Sequence, residues 1–380
     1  MLDSSYLQAS EAAALSWEVP ALAFGVSVGG EVETASVGCD PGTTFRVASI
    51  TKPFTAALGL GLLDLEAAAE PWPSEVRVRH LLSHTSGFDC ELAGVDQSEF
   101  ESAEDALAAQ LPALGSVRRW VGVGQCWSYA NTGYWLAGLL AAQAAGSSYE
   151  DALASRVIRP LGLEATSFGE PDVPGSGPDA AEGPYPRARR PSGGLVSNVH
   201  DLLRFGQHLL GEPRLRIVHG KPLGGVYGLG LHGERVGGVE VWGHPGSWGG
   251  FQSALLIVPD RDAVFVGLTN ASRGGKALYE LADVFFERLL GTRRRVPETF
   301  DLSQGAREAF TGSYANNGGW YEVAFAIDGL SLKFEDGEFA ARPIGERTFE
   351  ITEGAHVRER FDFPLDGLGR FGSRLAERVG

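Results

Sequence analysis

Lysine is nearly missing from this 380-residue chain: of its 32 Lys and Arg residues only four are lysines, at 52, 221, 276 and 333. Where arginine carries the surface charge, a lysine in an apolar helix asks for a chemical reason. Cysteine is as sparse. Cys39, Cys90 and Cys126 are odd in number and lack Cys-x-x-Cys or Cys/His metal spacing, the pattern of reduced structural thiols in a cytosolic setting. Positive charge is in deficit too, with 48 acidic residues and a formal net charge of −16. That argues against nucleic acid or anionic membrane as the main partner, because both reward a basic surface. No apolar run of membrane-spanning length is present. Met1 to Pro20 carries Asp3, Glu11 and Glu18 and no basic segment ahead of an apolar one, so neither an export signal nor a transmembrane span is expected, and a cytoplasmic location is. Internal repeats and low-complexity tracts are missing as well.

What is present suffices for a substantial core, with 43% hydrophobic residues in a chain long enough for two domains. The organising stretch is Thr44 to Leu65. In it Ser49 and Lys52 stand three residues apart, which on a helix puts them on one face with Cβ atoms ~5–6 Å from each other. Pro53 fits a first helical turn. Ile50, Phe54, Ala57, Leu58, Leu62 and Leu65 leave almost no polar side, with no charge between Lys52 and Asp64, so the helix reads as buried. Desolvation and the positive helix end both lower a lysine pKa, which prepares Lys52 to take a proton from Ser49. On an exposed helix the same pair would be a cap and a solvated charge.

Along the chain, the pattern predicts a helix over Ser4 to Trp17, then a hairpin of Leu22 to Val28 and Val32 to Val37 turned by Gly29-Gly30. A short helix from Val76 ends in Ser83-His84-Thr85, where His84 reads as a hydrogen-bonded turn residue before a chemical one. An alanine-rich helix is expected over Glu99 to Leu114. Next comes Gly124-Gln-Cys-Trp-Ser-Tyr-Ala-Asn131, in which Tyr129 can shuttle a proton beside a lysine and Asn131 can bond both the lysine and a substrate carbonyl; a buried tyrosine beside a turn asparagine is the plain alternative. Helices follow over Tyr134 to Ala145 and Tyr149 to Val157. Gly169 to Pro191 holds six prolines and four glycines and reads as an irregular loop, leading to a helix over Asp201 to Leu210. Strands are expected at Val239 to Trp242, Phe251 to Val258 and Ala263 to Leu268, with His244-Pro-Gly-Ser-Trp-Gly-Gly250 as the connection inside the first pair. A helix over Lys276 to Leu290 closes this part. Beyond Thr292 the period is two, with turns at Asp328-Gly329, Asp336-Gly337, Glu353-Gly354 and Asp366-Gly367, predicting a small antiparallel barrel or half-barrel.

Three motifs thus stand in order: Ser49-Ile-Thr-Lys52, Tyr129-Ala-Asn131 and His244-Pro-Gly246. With Leu81-Leu-Ser-His-Thr-Ser-Gly87, Gly193-Gly-Leu-Val-Ser197 and Thr269-Asn270, the chain resembles the serine β-lactamase and penicillin-binding-protein superfamily, in the branch of class C β-lactamases, D-aminopeptidases and β-lactamase-like esterases. The resemblance implies an α/β fold, an antiparallel five-stranded sheet flanked by helices with an all-α part between its halves, over residues 1–292. It implies a C-terminal lipocalin-like β-domain over 300–380. It also implies an acyl-enzyme on Ser49, with Lys52, alone or jointly with Tyr129, as proton acceptor, Tyr129 as proton donor to the leaving group and activator of the deacylating water, and Asn131 orienting substrate and Lys52. The backbone N–H groups of Ser49 and Ser247, beside Gly246, would form the oxyanion site, and neither metal nor cofactor is needed.

The departure is at His244, where β-lactamases and DD-peptidases place a lysine that receives the substrate carboxylate. His-x-Gly is common among the esterases and aminopeptidases of the branch, which points to small esters or amides as substrates and away from strong β-lactam hydrolysis. An unperturbed histidine titrates near ~6.5, so carboxylate-bearing substrates should gain as pH falls through that value. A D-stereospecific aminopeptidase is the second reading, and a binding module that has lost turnover the third. Oligomeric state is not legible.

Overall fold

The computed structural model describes residues 4–92, 106–181, 183–220, 223, 225–317, 319–326, 329–334, 337–352 and 358–379. Helix α1 (Ser4–Ser16) precedes the hairpin β1 (Leu22–Val28) and β2 (Glu31–Val37). Gly29 and Gly30 both take positive φ, 58° and 85°, the twist that a two-residue hairpin turn demands. After β3 (Phe45–Arg46) come a 3₁₀ turn over Ala48–Ile50 and α2 (Thr51–Leu62). Then follow α3 (Val78–Leu82), α4 (Ala106–Ala109), α5 (Leu111–Gly115), α6 (Asn131–Ala145), α7 (Tyr149–Leu153), α8 (Arg190–Gly193), β4 (Val196–Ser197) and α9 (Val199–Leu210). The chain returns to the sheet through β5 (His232–Val236), β6 (Val239–Trp248), β7 (Phe251–Val258) and β8 (Ala263–Thr269), and α10 (Gly274–Leu290) covers it.

The sheet is fully antiparallel in the order β2-β1-β8-β7-β6-β5. It separates two cores. On one face lie Phe54, Leu58, Trp135, Phe205 and their neighbours from α2, α6 and α9, and on the other Phe24, Phe265, Leu281 and Phe285 against α1 and α10. The helices α2 to α9 lie between β2 and β5 in sequence, between the halves of the sheet, together with the two-residue strands β3 and β4, which pair with each other.

The sheet has six strands where five are expected. The extra strand, β5, lies on a glycine-punctuated stretch with only one buried residue, Val236, so it carries no alternating apolar signal. Strand β6 also runs past its expected end at Trp242. It stays paired to β7 as far as Trp248↔Phe251, while β5 accompanies it only to Gly243. From His244 on β6 is therefore an edge, where Pro245 is tolerated because no outward ladder bond is required. His244-Pro-Gly is thus strand, and the turn is Gly249-Gly250. Helix α6 begins three residues early, at Asn131. The helix expected over Glu99 to Leu114 is, from Ala106 on, two short helices, the second starting beside Pro112; its first half lies outside the described residues.

After α10 and a short α11 (Gln304–Glu308), eight strands close a barrel: β9 (Gly312–Asn316), β10 (Gly319–Ala326), β11 (Gly329–Phe334), β12 (Gly337–Pro343), β13 (Thr348–Ile351), β14 (Arg360–Leu365), β15 (Leu368–Phe371) and β16 (Arg374–Arg378). Tyr314, Phe349, Phe361, Phe363 and Phe371 fill its interior, ring against ring at 5.4 to 6.0 Å. It is closed, not half-open. The Asp366-Gly367 turn falls between β14 and β15 as expected, while Asp328, Asp336 and Glu353-Gly354 lie outside the described residues. Among the described residues no helix is long and apolar enough to cross a membrane.

Candidate active site

Ser49 sits in a strained turn. Ala48 before it has φ 45°, a left-handed conformation uncommon for a residue with a Cβ. Thr51 Oγ1 donates to Ala48 O at 2.7 Å and accepts from Leu195 N–H at 3.1 Å, tying the turn to the segment after α8. From this turn Ser49 Oγ meets two groups. Lys52 Nζ lies 3.3 Å away, and Tyr129 O–H donates to Ser49 Oγ at 2.9 Å. The Ser49 and Lys52 pair thus spans the junction of the 3₁₀ turn and α2, and the i, i+3 contact expected from sequence is made.

Lys52 has no exposed surface. Its Nζ donates to Ser192 O at 2.7 Å and lies 4.6 Å and 5.4 Å from the ring centres of Tyr129 and Tyr134. Burial holds its pKa well below the ordinary 10.5; Glu91 opposes this shift and Arg374 reinforces it. Burial acts on Tyr129 in the opposite direction and pushes its phenol above 10.0, with the Ser49 hydrogen bond a smaller, opposing influence. Both groups are therefore favoured neutral, one as a free amine and the other as a protonated phenol. Ser192 was not singled out in the sequence. Its contribution is a main-chain carbonyl, which leaves no side-chain signature, although Trp135 Nε1–H holds its Oγ at 2.8 Å.

Asn131 opens α6 and its Nδ2–H donates to Glu91 Oε1 at 2.6 Å. Among the described residues no hydrogen bond joins it to Lys52, so the expected orienting contact is replaced by one to a carboxylate. His84 is structural, as the sequence favoured: its Nδ1 accepts from Ala130 N–H at 3.0 Å and its carbonyl from Ser128 N–H at 2.9 Å, with its ring 4.4 Å from that of Tyr129.

His244 is buried, 1% exposed. Its Nδ1–H donates to Pro245 O at 2.5 Å, leaving Nε2 as an acceptor without a partner among the described residues. Burial, then the nearby His232 and Lys52, press its pKa well below 6.5. This corrects the expected gain for carboxylate substrates through pH ~6.5, because the imidazolium would appear only at much lower pH. The low-pH charge cannot replace the lysine of the β-lactamases under ordinary conditions. No group of His, Cys, Asp and Glu among the described residues is placed to hold a metal ion.

Gly246 faces the nucleophile turn. A Cβ there would stand 2.3 Å from both Val47 O and Ser253 Oγ, and 3.2 Å from Ser49 N. Ser247 follows on the edge of β6, exposed, its Oγ accepting from Gln252 Nε2–H at 2.8 Å. Because Val47 O is backbone, Gly246→Ala should force β6 and the Ser49 turn apart, and an ~1 Å displacement of reacting groups costs ~100-fold in kcat/KM. Steady-state ester hydrolysis on folded variant checks this, and a loss under about threefold would show the contact to be slack.

The beta-lactamase family model matches residues 10–285, and the chain belongs to this family of serine hydrolases. Penicillin-binding protein 4 of Amycolatopsis lactamdurans is 28% identical over 367 residues, 79% of this chain and 94% of that protein. The crystal structure of SurE with D-Leu is similar along 99% of both chains, with a TM-score of 0.78 at 24% identity. A D-stereospecific amidohydrolase from Streptomyces sp. is similar over 76% of this chain and 99% of its own, with 25% identity and a TM-score of 0.61.

Proposed function

We propose that the protein hydrolyses small, uncharged esters or amides through an acyl-enzyme on Ser49, in the manner of a carboxylesterase. The observation that carries this is the wiring of Ser49 Oγ between a buried Lys52 and the Tyr129 hydroxyl. In the forward step Lys52 Nζ takes the Ser49 proton as Oγ bonds the substrate carbonyl carbon. The oxyanion so formed is held by the N–H groups of Ser49 and Ser247. Collapse expels the leaving group, which takes a proton from Tyr129, and Tyr129 is reprotonated by Lys52. Water then repeats the sequence on the ester of Ser49. Burial supports this division of roles, since desolvation favours a neutral lysine that can accept a proton and a protonated tyrosine that can give one. Asn131, with Glu91 behind it, orients the substrate. The partner in this reaction is a small-molecule ester or amide, met in the cytoplasm.

A D-stereospecific aminopeptidase is the second reading, favoured by the likeness to the D-stereospecific amidohydrolase of Streptomyces. A panel of p-nitrophenyl esters, D- and L-aminoacyl anilides and nitrocefin on the purified protein separates the two, and a protein inert to all three classes would refute both. His244 supplies a sharper test. A neutral imidazole offers a carboxylate little, whereas a charge-assisted hydrogen bond is worth ~1.5–3 kcal/mol. His244→Lys should therefore raise kcat/KM for nitrocefin relative to p-nitrophenyl acetate by about tenfold, in variant whose melting shows it folded. An unchanged ratio would reduce His244 to a strand residue that holds Pro245.

A further inference from the structure

The last hairpin of the barrel ends on the second motif. Its two-residue turn, Gly372-Ser373, has φ of 50° and 71°, the geometry of a tight twisted hairpin. Around Tyr129 the strand-like segment alternates its backbone partners. Ser128 N–H and Ala130 N–H both go to His84, while Tyr129 N–H, between them, donates to Ser373 O at 2.9 Å. Leu375 N–H donates to Ser128 Oγ at 3.1 Å, and Arg370, paired with Asp362, donates to Trp127 O at 2.7 Å. Arg374 faces Glu91 at 3.8 Å, the same carboxylate that holds Asn131. Asn317 Nδ2–H adds a bond to Glu91 O at 3.2 Å.

We infer that the β15–β16 hairpin of the barrel is a positioning element of the active site, setting Tyr129 through Ser373 O and Asn131 through the Arg374 and Glu91 pair. The barrel is then a part of the catalytic apparatus and not an independent ligand carrier, consistent with an interior filled by aromatic rings. The inference rests on the acyl-enzyme reading above. Arg374 is a positioning residue with an electrostatic consequence. Lys52 is faced by Tyr129, Tyr134, His84, His232 and His244, all favoured neutral by burial. The Glu91 and Arg374 pair supplies the charge opposite them, and the two act on Lys52 with opposite sign. Loss of Arg374 leaves Glu91 unopposed, which favours the charged amine and moves the rise of activity with pH to higher pH.

The test compares Arg374→Gln, Arg374→Lys, Gly372→Val and Ser128→Ala with wild type, reading kcat, KM and pH profile on a p-nitrophenyl ester, fluorophosphonate labelling of Ser49, and melting. Arg374→Gln should lower kcat about tenfold, with KM changed less than about threefold, and shift the rising limb upward. Arg374→Lys should restore the limb and most of kcat. Gly372→Val, a β-branched residue at positive φ, should lower kcat by distorting the turn. If it fails to fold, Ser128→Ala, which loses only the bond from Leu375, carries the same expectation at smaller size. Wild-type kcat and pH profile in both Arg374→Gln and Ser128→Ala would overturn the inference while leaving labelling of Ser49 intact. A wild-type protein that is not labelled would instead overturn the acyl-enzyme reading, and this inference with it.

Discussion

A fluorophosphonate should add one adduct to the wild-type protein, at Ser49, and none to Ser49→Ala, whose turnover should fall by ~10³-fold or more. The selectivity follows from what the neighbouring hydroxyls are doing. Thr51 Oγ1 donates to Ala48 O, Thr55 Oγ1 to Pro191 O, Ser192 Oγ to Arg189 O and Ser253 Oγ to Val47 O, each at 2.7 to 3.0 Å. Their protons are committed to carbonyls. Ser49 Oγ alone among them lies between an amine and a phenol, so it alone can lose its proton to a base while its oxygen receives a hydrogen bond. Intact-mass spectrometry reads the adduct directly. A label that survives Ser49→Ala would place the nucleophile elsewhere and remove the basis of the proposed chemistry.

Lys52→Arg should cost ~100-fold or more in kcat, because general-base catalysis contributes on that scale and a guanidinium cannot deprotonate. In the proposed chemistry Lys52 acts as a neutral amine, and burial places its pKa well below 10.5. Activity of wild type should therefore rise with pH through that lowered value and then level off. The proposed acid, Tyr129, must be protonated, and its pKa is raised above 10.0, so the descending limb belongs above the ordinary phenol range. A broad plateau between the two limbs is expected in kcat/KM. If Lys52→Arg retains more than about a tenth of wild-type kcat, a barrier change below ~1.4 kcal/mol, the residue serves as a fixed charge and the assignment of the base fails.

Much of the site is written locally. Ser49 and Lys52 are three residues apart, and helical geometry alone brings such a pair together. The edge strand carrying His244 and Gly246 was marked by its residue types, although its boundary was misplaced: Pro245 reads as a breaker in sequence and is harmless where the outer neighbour, β5, has already ended. Strand β5 itself left no trace, since its partner β6 and not its own apolar pattern keeps it in place. Alternating phenylalanines and glycine turns point to a small antiparallel barrel or half-barrel without deciding between them. Closure itself depends on β9 meeting β16, a pairing of Ala315 with Glu377 across some sixty residues of sequence, which no local pattern encodes.

The chemistry that residue identity dictates is thus visible in the chain: a nucleophile, a lysine out of place among arginines, a tyrosine, and a histidine where a lysine would be expected. Protonation is not visible there, because it depends on desolvation, and burial of Lys52, Tyr129 and His244 comes from segments as far apart as Ser192 and His232. The partner of Asn131 is likewise decided in three dimensions, by Glu91, and the partner of the Tyr129 amide by Ser373, the better part of the chain away. Backbone carbonyls and a charge from the barrel carry no motif. They reach the site only because folding sets the barrel hairpin against it, where a low dielectric makes their small number count.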